Sequence, residues 1–489
     1  MEIEKRVRQS LTLALFLGSI LFDVGELRQH LFCIKKYRKD TLKSFRINLP
    51  NKFIGGFKMS HTQLIKDTLN ILDLNIHFEE NCLTKEKYKG QICLIYKGTL
   101  LYKPEECPHC LCVVPSRIIR WGTTTVRLLL NDVSEYRTYL ELKKQRFKCK
   151  SCQRTFVADT SVAEKYCFIS QKVRWSVIAR LKENTSMTEI ARQKNISTSS
   201  VYRVMKRFYR PLNPFKQTLP KVLCFDEFKS VRHVTSAMSF IMMDGQSHAL
   251  LDIVENRRLP YLERYFSRFS LATREAVQWI VIDMYAPYVS LVKKLFPNAQ
   301  LIIDRFHIVQ HIGRTFLNHR VKETTARLKG TSHSQRGLGK KLKRYWKLLQ
   351  KEEAKLNYEK RVWRASFKDY LTESEIVDRL LSACPNLRQG YQLYQDILYA
   401  VKKRDQSLFE DCLNREVSGL PETYTTTLRT FKKFLPQIQN ALHYSYSNGP
   451  LECLNNHIKV LKRNAYGFRS FYNFKLRIMI RHGKTFLTK

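Results

Sequence analysis

Three acidic residues occupy positions where they could do chemistry. Asp226 follows the apolar run VLCF, Asp283 ends WIVIDM, and Glu452 comes just after the helix-start signal SNGPL. Carboxylate oxygens are the natural ligands of hard divalent cations. Two such ions can activate a water or a 3′-hydroxyl and stabilise the leaving oxygen of an in-line displacement at phosphorus. The remaining chain supplies a reason for phosphorus. Lys and Arg number 86 against 43 Asp and Glu, a net charge of +43, and an excess of that size points to a polyanion such as DNA or RNA. An anionic membrane surface would favour concentrating the charge on one amphipathic helix, whereas here it runs from end to end. Each acid also has an ordinary reading. If Pro450 is N1, Glu452 is at N3, where a Glu simply starts a helix well, and either Asp could be a strand-end or turn residue. Glu227, Asp244, Asp252 and Asp304 compete with them.

Four of the 13 cysteines form a second constellation: Cys107-Pro-His-Cys110, 38 intervening residues, then Cys149-Lys-Ser-Cys152. Two CxxC knuckles present four thiolates to one tetrahedral Zn²⁺ and leave no open position, so the expected site is structural. A redox pair or buried free thiols are the alternatives. The odd total argues against a disulfide framework and for an intracellular protein. His109 and Cys112 are conceivable substitute ligands, although Cys112 lies outside the knuckle spacing.

The third constellation is MTEIARQKNISTSSVYRVMKRF, from Met187 to Phe208. It predicts a short helix, a turn at 194–196 and a second helix with Val201, Val204 and Met205 inward. Ser199, Ser200, Tyr202, Arg203, Lys206 and Arg207 would face outward as the base- and phosphate-contacting side of a DNA-recognition helix. The plain alternative is a helical hairpin in a basic protein.

The elements needed to position these groups can be read from periodicity. Residues 60–80 read as an amphipathic helix or helix plus turn. Strands are expected at 91–102 and at TTTVRLLL and TYLELKKQRFKC, and helices over 170–210. Prolines 211, 214 and 220 mark a linker. VLCFDEF, MSFIMMDG and HALLDIVENR then read as three antiparallel strands, with Asp244-Gly245 a turn. Helix, strand, helix and strand follow up to AQLIIDRF, giving a mixed α/β sheet. Residues 311–445 carry almost no strand signal and read as an all-helical insertion, with KKLKRYWKLLQKEEAKL a long basic helix. At the N-terminus, Leu11 to Phe22 is an apolar run shorter than the roughly 20 residues of a spanning helix, without a clean cleavage site. Residues 1–58 read as an extension, and Met59 is a possible start.

FDEF, WIVIDMYAPY, LIIDRFHIVQHI and SNGPLECLNNHIKVLKRNAYGFRSFYNFKLRI together resemble the ISL3-type insertion-sequence transposases, with the resemblance covering about residues 60–489. It implies an α/β catalytic core with an RNase H-like mixed sheet, split by the all-helical insertion and preceded by a zinc ribbon and a helix-turn-helix domain. The expected segments are 1–58 extension, 59–160 zinc ribbon, 165–215 helix-turn-helix, 221–310 with 446–489 catalytic core, and 311–445 insertion. The implied DDE triad is Asp226, Asp283 and Glu452, holding two Mg²⁺ (or Mn²⁺), with Asp304 and His307 as a supporting DxxH pair. Glu452, Asn456, Lys459 and Arg463 recur at i, i+4, i+7 and i+11, one helical face, where the polar side chains would position the scissile strand. The N-terminal extension and Cys453, where a small residue is more usual, depart from the family pattern. The implied activity is cleavage and transfer of DNA strands at the terminal inverted repeats of the element. Expected partners are double-stranded DNA and a second copy of the chain or a larger homo-oligomer, with no membrane, in a bacterial cytoplasm at the nucleoid. A catalytically inactive DNA-binding regulator and an RNA-processing nuclease on the same fold are the rival readings.

Overall fold

The computed structural model describes residues 60–208, 217–231 and 237–483, so the apolar run and the expected start at Met59 lie outside the described residues. From Ile65 onward the chain belongs to one compact unit, Ile65–Lys489.

Among the described residues the first helix is α1 (His61–Leu69), which ends well short of residue 80, the limit of the expected helix or helix plus turn. Asn70 turns left-handed at φ 51°, and the chain enters a strand, β1 (Ile76–Tyr88). Periodicity missed this strand because its alternation is broken by a register shift between Phe78 and Leu83, which moves the inward-facing set. The strands β2 (Gln91–Leu100), β3 (Ile118–Leu129), β4 (Arg137–Cys149) and β5 (Thr155–Val157) complete a five-stranded sheet. Its order is β1-β2-β4-β3, with β5 also paired to β4.

Three helices follow: α2 (Gln171–Leu181), α3 (Met187–Gln193) and α4 (Thr198–Phe208). Serines begin them. The side chains of Ser170 and Ser186 accept from the backbone N–H groups of Val173 and Glu189, and Ser197 Oγ accepts from Ser200 N at 3.1 Å. Each satisfies a donor that the first helical turn leaves unpaired.

The second sheet contains β6 (Val222–Lys229), β7 (Met238–Asp244), β8 (Leu250–Val254), β9 (Trp279–Ile282) and β10 (Gln300–Ile303), in the order β10-β9-β6-β7-β8. The first three are antiparallel, as expected, and β9 and β10 join them in parallel. Between them run α5 (Leu259–Phe266), α6 (Leu271–Glu275) and α7 (Ala286–Leu295). Alternation of side chains across the strands divides the core. One face packs Phe225, Phe240, Phe266 and Phe296 into an aromatic cluster. The other face shares one apolar cluster with α2, α3 and α4 and with two late helices, α16 (Gly449–Asn464) and α17 (Phe471–His482), through residues such as Val177, Val204, Ile241, Ile458 and Phe474.

Between β10 and α16 the chain makes a long helical excursion. It leaves on α8 (Arg305–Leu328) and continues through α9 (His333–Arg344), α10 (Trp346–Gln350), α11 (Glu373–Ser382), α12 (Pro385–Lys403), α13 (Gln406–Asn414), α14 (Glu422–Lys433) and α15 (Leu435–His443). Two features differ from the expected all-helical segment. The basic stretch from Lys340 is two helices, because α9 stops at Tyr345 and α10 at Lys351. A short hairpin, β11 (Val362–Arg364) with β12 (Asp369–Leu371), also interrupts it, and three-residue strands are too brief to show a period. The excursion is tied back where it began. Arg305 Nη1 donates to the carbonyls of Ala441 (2.8 Å) and Tyr444 (3.0 Å), and Asn440 Nδ2 donates to that of Leu301 (2.9 Å). No helix among the described residues is long and apolar enough to cross a membrane.

Candidate functional site

Strand register brings the aspartates together. Parallel pairing of β6 with β9 matches Val222 with Trp279 and Cys224 with Val281, and β10 matches Ile303 with Ile282. Two further steps on β6, and one past the ends of β9 and β10, put Asp226, Asp283 and Asp304 at the same level on three adjacent strands, about 4.8 Å apart. Asp226 does not end its strand. β6 continues to Lys229 against β7, where Asp226 pairs with Ile241, but β9 stops at Ile282. The side chain therefore stands where the sheet opens.

His307 and Glu452 close the cluster. His307, in the first turn of α8, places Nε2 2.7 Å from Asp283 Oδ1 and 3.4 Å from Glu452 Oε1. Asp304 occupies the N-cap position of α8 yet makes no side-chain capping bond, so a capped helix start does not account for this residue. Its carboxylate, 1% exposed, turns toward Ser447 and the backbone of Asn448. The N3 explanation of Glu452 also falls away. Asn448 is the N-cap and Gly449 the first helical residue, so Pro450 is N2 and Glu452 is N4, donating its N–H to Asn448 O at 2.9 Å.

The carboxylates are held in an unfavourable state. Burial, opposed by the Glu227 N–H and aggravated by Asp283, pushes Asp226 up to about 7. Burial also raises Asp304 and Glu452 above the ordinary carboxylate range. For His307, burial works downward, but the hydrogen bond and charge of Asp283 outweigh it and raise the imidazole. Packing several acids close together and partly out of water costs free energy unless a cation joins them. One donor set fits a cation: Asp304, His307 and Glu452 each offer an atom within 4.8 Å of the others, a group that does not include Asp226 or Asp283, and Asp304 Oδ2 is buried without a hydrogen-bond partner.

The competing acids are engaged elsewhere. Glu227 pairs with Arg257 and accepts from Tyr288 Oη at 2.6 Å. Asp244 accepts from Gln246 N in its turn. Asp252 is buried on β8 between Tyr265 Oη (2.7 Å) and Lys475 Nζ (2.5 Å).

One polar residue of the site escaped the sequence reading. Asn456, picked from its helical face, is exposed and meets Lys459. Its neighbour Asn455 is 5% exposed and donates Nδ2 to Asp226 Oδ2 at 2.6 Å and to Glu227 O at 3.3 Å. In the paired Asn-Asn, only the register of α16 on the sheet distinguishes the two. Lys459 and Arg463 are exposed on the same helix. A cavity of ≈ 270 Å³ adjoins Asp226, Asp283 and His307, with Arg257, Gln310 and Arg314 on its wall.

The four cysteines converge as expected. Cys107 and Cys152 Sγ are 3.7 Å apart, as are those of Cys110 and Cys149. Sulfur ligands at about 2.3 Å from one tetrahedral ion would be about 3.8 Å apart. The backbone N–H groups of Cys152 and Ser151 help bring the Cys149 thiol down to about 6. Cys112 is outside this cluster and within 3.5 Å of Ser151 Oγ.

On α4, Val201, Val204 and Met205 are buried, and Ser199, Arg203 and Lys206 are exposed, as expected. Arg207 is exposed too, paired with Glu164. Two others depart in part: Ser200 is half-buried with its hydroxyl 2.9 Å from Ser197 Oγ, and Tyr202 packs against the apolar cluster.

A sheet-borne acidic cluster in a strongly basic chain, behind a four-cysteine knuckle pair, defines a class, and sequence comparison gives the family. The model described as transposase, of ISL3 type with a DDE triad, matches residues 223–478, and that for the zinc finger of transposases IS204, IS1001, IS1096 and IS1165 matches residues 103–152. The first covers just over half of the chain, which therefore belongs to the ISL3 family of transposases and carries that family's zinc ribbon. The transposase for insertion sequence element IS1001 of Bordetella parapertussis is 22% identical over 363 residues, 73% of this chain and 84% of that protein. An uncharacterized protein in transposable element ISH50 of Halobacterium salinarum is 27% identical over 196 residues, 40% of this chain and 58% of that protein. A Lactococcus lactis subsp. lactis protein named ATP-dependent protease is 73% identical over 118 residues, 24% of this chain and 38% of that protein. The match thus spans little more than a third of that relative.

Proposed function

We propose that the chain is a DNA transposase that cuts and joins DNA strands at the ends of its own element, with Asp226, Asp283 and Glu452 as the metal-holding triad. The observation carrying this reading is the juxtaposition of Asp226, Asp283, Asp304, His307 and Glu452 from five elements, toward the C-terminal ends of the parallel strands, in a chain of net charge +43. The strand order, three antiparallel strands followed by two parallel ones beside the first, supports an RNase H-like core. The helices α2 to α4 support a helix-turn-helix unit that reads the inverted repeats, and the zinc ribbon would assist it. The division into 59–160, 165–215, 221–310 with 446–489, and 311–445 belongs to this reading, as do a homo-oligomer acting on two ends and a place at the bacterial nucleoid.

The carboxylates would hold divalent Mg²⁺ (or Mn²⁺), which when bound supplies Lewis acidity at the scissile phosphate. The chain's own groups do the rest. Asn455 fixes the orientation of Asp226, His307 bridges Asp283 and Glu452, and Asp304 lends a buried carboxylate beside them. Arg257 and Arg314 flank the cavity where a phosphate would lie. Purified full-length protein with DNA carrying the repeats that flank the gene tests this: Mg²⁺-dependent nicking at the repeat ends supports it. Repeat binding without nicking in any divalent ion would favour the inactive regulator, and preferential cleavage of RNA hybrids the RNA nuclease.

Two narrower results are expected. Asn455→Ala should lower cleavage about 10- to 100-fold, the usual effect of losing a ligand-orienting partner, while repeat binding in a gel-shift assay stays within a few-fold. Unchanged cleavage would remove the positioning role. Ligand carboxylates must also be ionised to hold a cation. With Asp226 up at about 7, cleavage at limiting Mg²⁺ should climb as pH rises to about 7 and level off above it. A flat profile across that range at limiting metal would contradict the assignment.

A further inference from the structure

A cleft of ≈ 1140 Å³ runs between the α4 helix, the β6 end and the α16–α17 corner. Tyr202, Lys229, Lys459, Arg463, Tyr466 and Arg469 line it, and no acidic side chain is among the described residues on its walls. It lies between α4 and the far end of the helix that carries Glu452. Lys459 and Arg463 are 7 and 11 residues beyond Glu452 on one helix, about 10 and 16 Å along its axis. Tyr202 belongs to α4. A duplex advances about 3.4 Å per base pair, so the distance corresponds to roughly three to five pairs.

Tyr466 is an anomaly in this cleft. The end of α16 is a Schellman motif: Gly467 N donates to Lys462 O at 2.9 Å and Tyr466 N to Arg463 O at 3.0 Å. The position after the cap residue Ala465 must then adopt a left-handed conformation, which favours glycine. Tyr466 occupies it at φ 56°, with Gly467 following at φ 87°. Packing does not compensate, because Tyr466 is 93% exposed. An aromatic ring held in a strained backbone position, in open solvent and over a basic cleft, is unexplained by folding and suits contact with a base or sugar.

We propose that this cleft is the channel for the subterminal duplex between the recognition helix and the scissile phosphate, and that Tyr466 contacts a nucleotide there. The inference rests on the transposase reading above, and its test separates the two. The probe is a duplex of about 40 base pairs ending in the flanking inverted repeat, with zinc-loaded full-length protein and no added Mg²⁺. Tyr466→Gly relieves the backbone strain, so its thermal midpoint should be equal to or above wild type while affinity falls about tenfold as the ring's contact with a sugar or base edge is lost. Combined Lys459→Ala, Arg463→Ala and Arg469→Ala should reduce the slope of log affinity against log salt by about two to three, one per lost phosphate contact. Wild-type affinity in Tyr466→Gly, or an unchanged slope in the triple variant, would overturn the channel and leave the transposase reading standing. Failure of the wild-type protein itself to bind the duplex would remove the transposase reading.

Discussion

Asp226→Asn is expected to abolish strand cleavage while making the Mg²⁺-free protein more stable. The two effects share a cause. A carboxyl held at about 7 in the fold against an ordinary 3.8 is one that the fold prefers protonated. The sign follows from linkage. Between these values the folded chain binds the proton that the unfolded chain has released, so this group's contribution to stability falls as pH rises from about 4 to about 7 and stays low above. The full penalty is on the order of 4 kcal/mol, offset where the hydrogen bonds from Asn455 and Glu227 survive. An uncharged isostere removes it, so at about pH 8, in zinc-loaded protein without added Mg²⁺, the variant should melt several degrees above wild type, with no such gain at about pH 4. Added Mg²⁺ should raise the wild-type midpoint and leave the variant nearly unmoved, because a bound cation stabilises only the state that holds it. Losing a ligand at the reacting phosphate forfeits several kcal/mol of transition-state stabilisation, about three orders of magnitude or more in rate. Asp283→Asn and Glu452→Gln should match it in rate, and repeat binding should survive in all three. Cleavage by any of them within about tenfold of wild type would exclude that residue from the triad.

Removing zinc should unfold the ribbon and with it recognition of the element ends. Two of the four thiols, Cys107 and Cys149, are fully buried within the cluster that also holds Leu100, Leu142 and Phe147, so the ion would form part of that domain's core. Structural zinc binding supplies about 10–16 kcal/mol in small domains, more than the whole stability of most of them. Cys149→Ser, or chelation of the wild type, should therefore produce a separate low-temperature transition and loss of protease resistance over residues 76–157. Bound zinc in the wild type should be one equivalent by elemental analysis. A folded, protease-resistant ribbon containing no zinc would refute the site.

Much of this was legible along the chain, for identifiable reasons. Paired CxxC knuckles constrain a ligand set through short local geometry, and the four sulfurs meet as their spacing implies. The strands and helices of the second sheet announce themselves through apolar runs that are buried on both faces. Even the turn at Asp244-Gly245 forms as expected, with Gly245 so close to Val222 that a Cβ would come within 2.6 Å of its Cγ1. Strand β1 was hidden by a register shift and the β11–β12 hairpin by its brevity, because periodicity needs an unbroken stretch to be seen.

Side-chain chemistry between distant segments is a different matter. That Asp226, Asp283 and Asp304 stand level depends on the pairing of three strands, and no property of any single strand specifies its neighbour's register. Glu452 reaches them across the whole helical excursion, which is closed by Arg305 and Asn440 rather than by any local signal. The exchange of Asn456 for Asn455 is the clearest instance. Adjacent residues on a helix point about 100° apart, so which of two asparagines meets Asp226 depends on how α16 is rotated against β6. Residue types and local spacing thus carry the chemistry this chain can do. Rotation, register and closure place the groups within reach of one another, because each arises from packing between elements that are far apart in sequence.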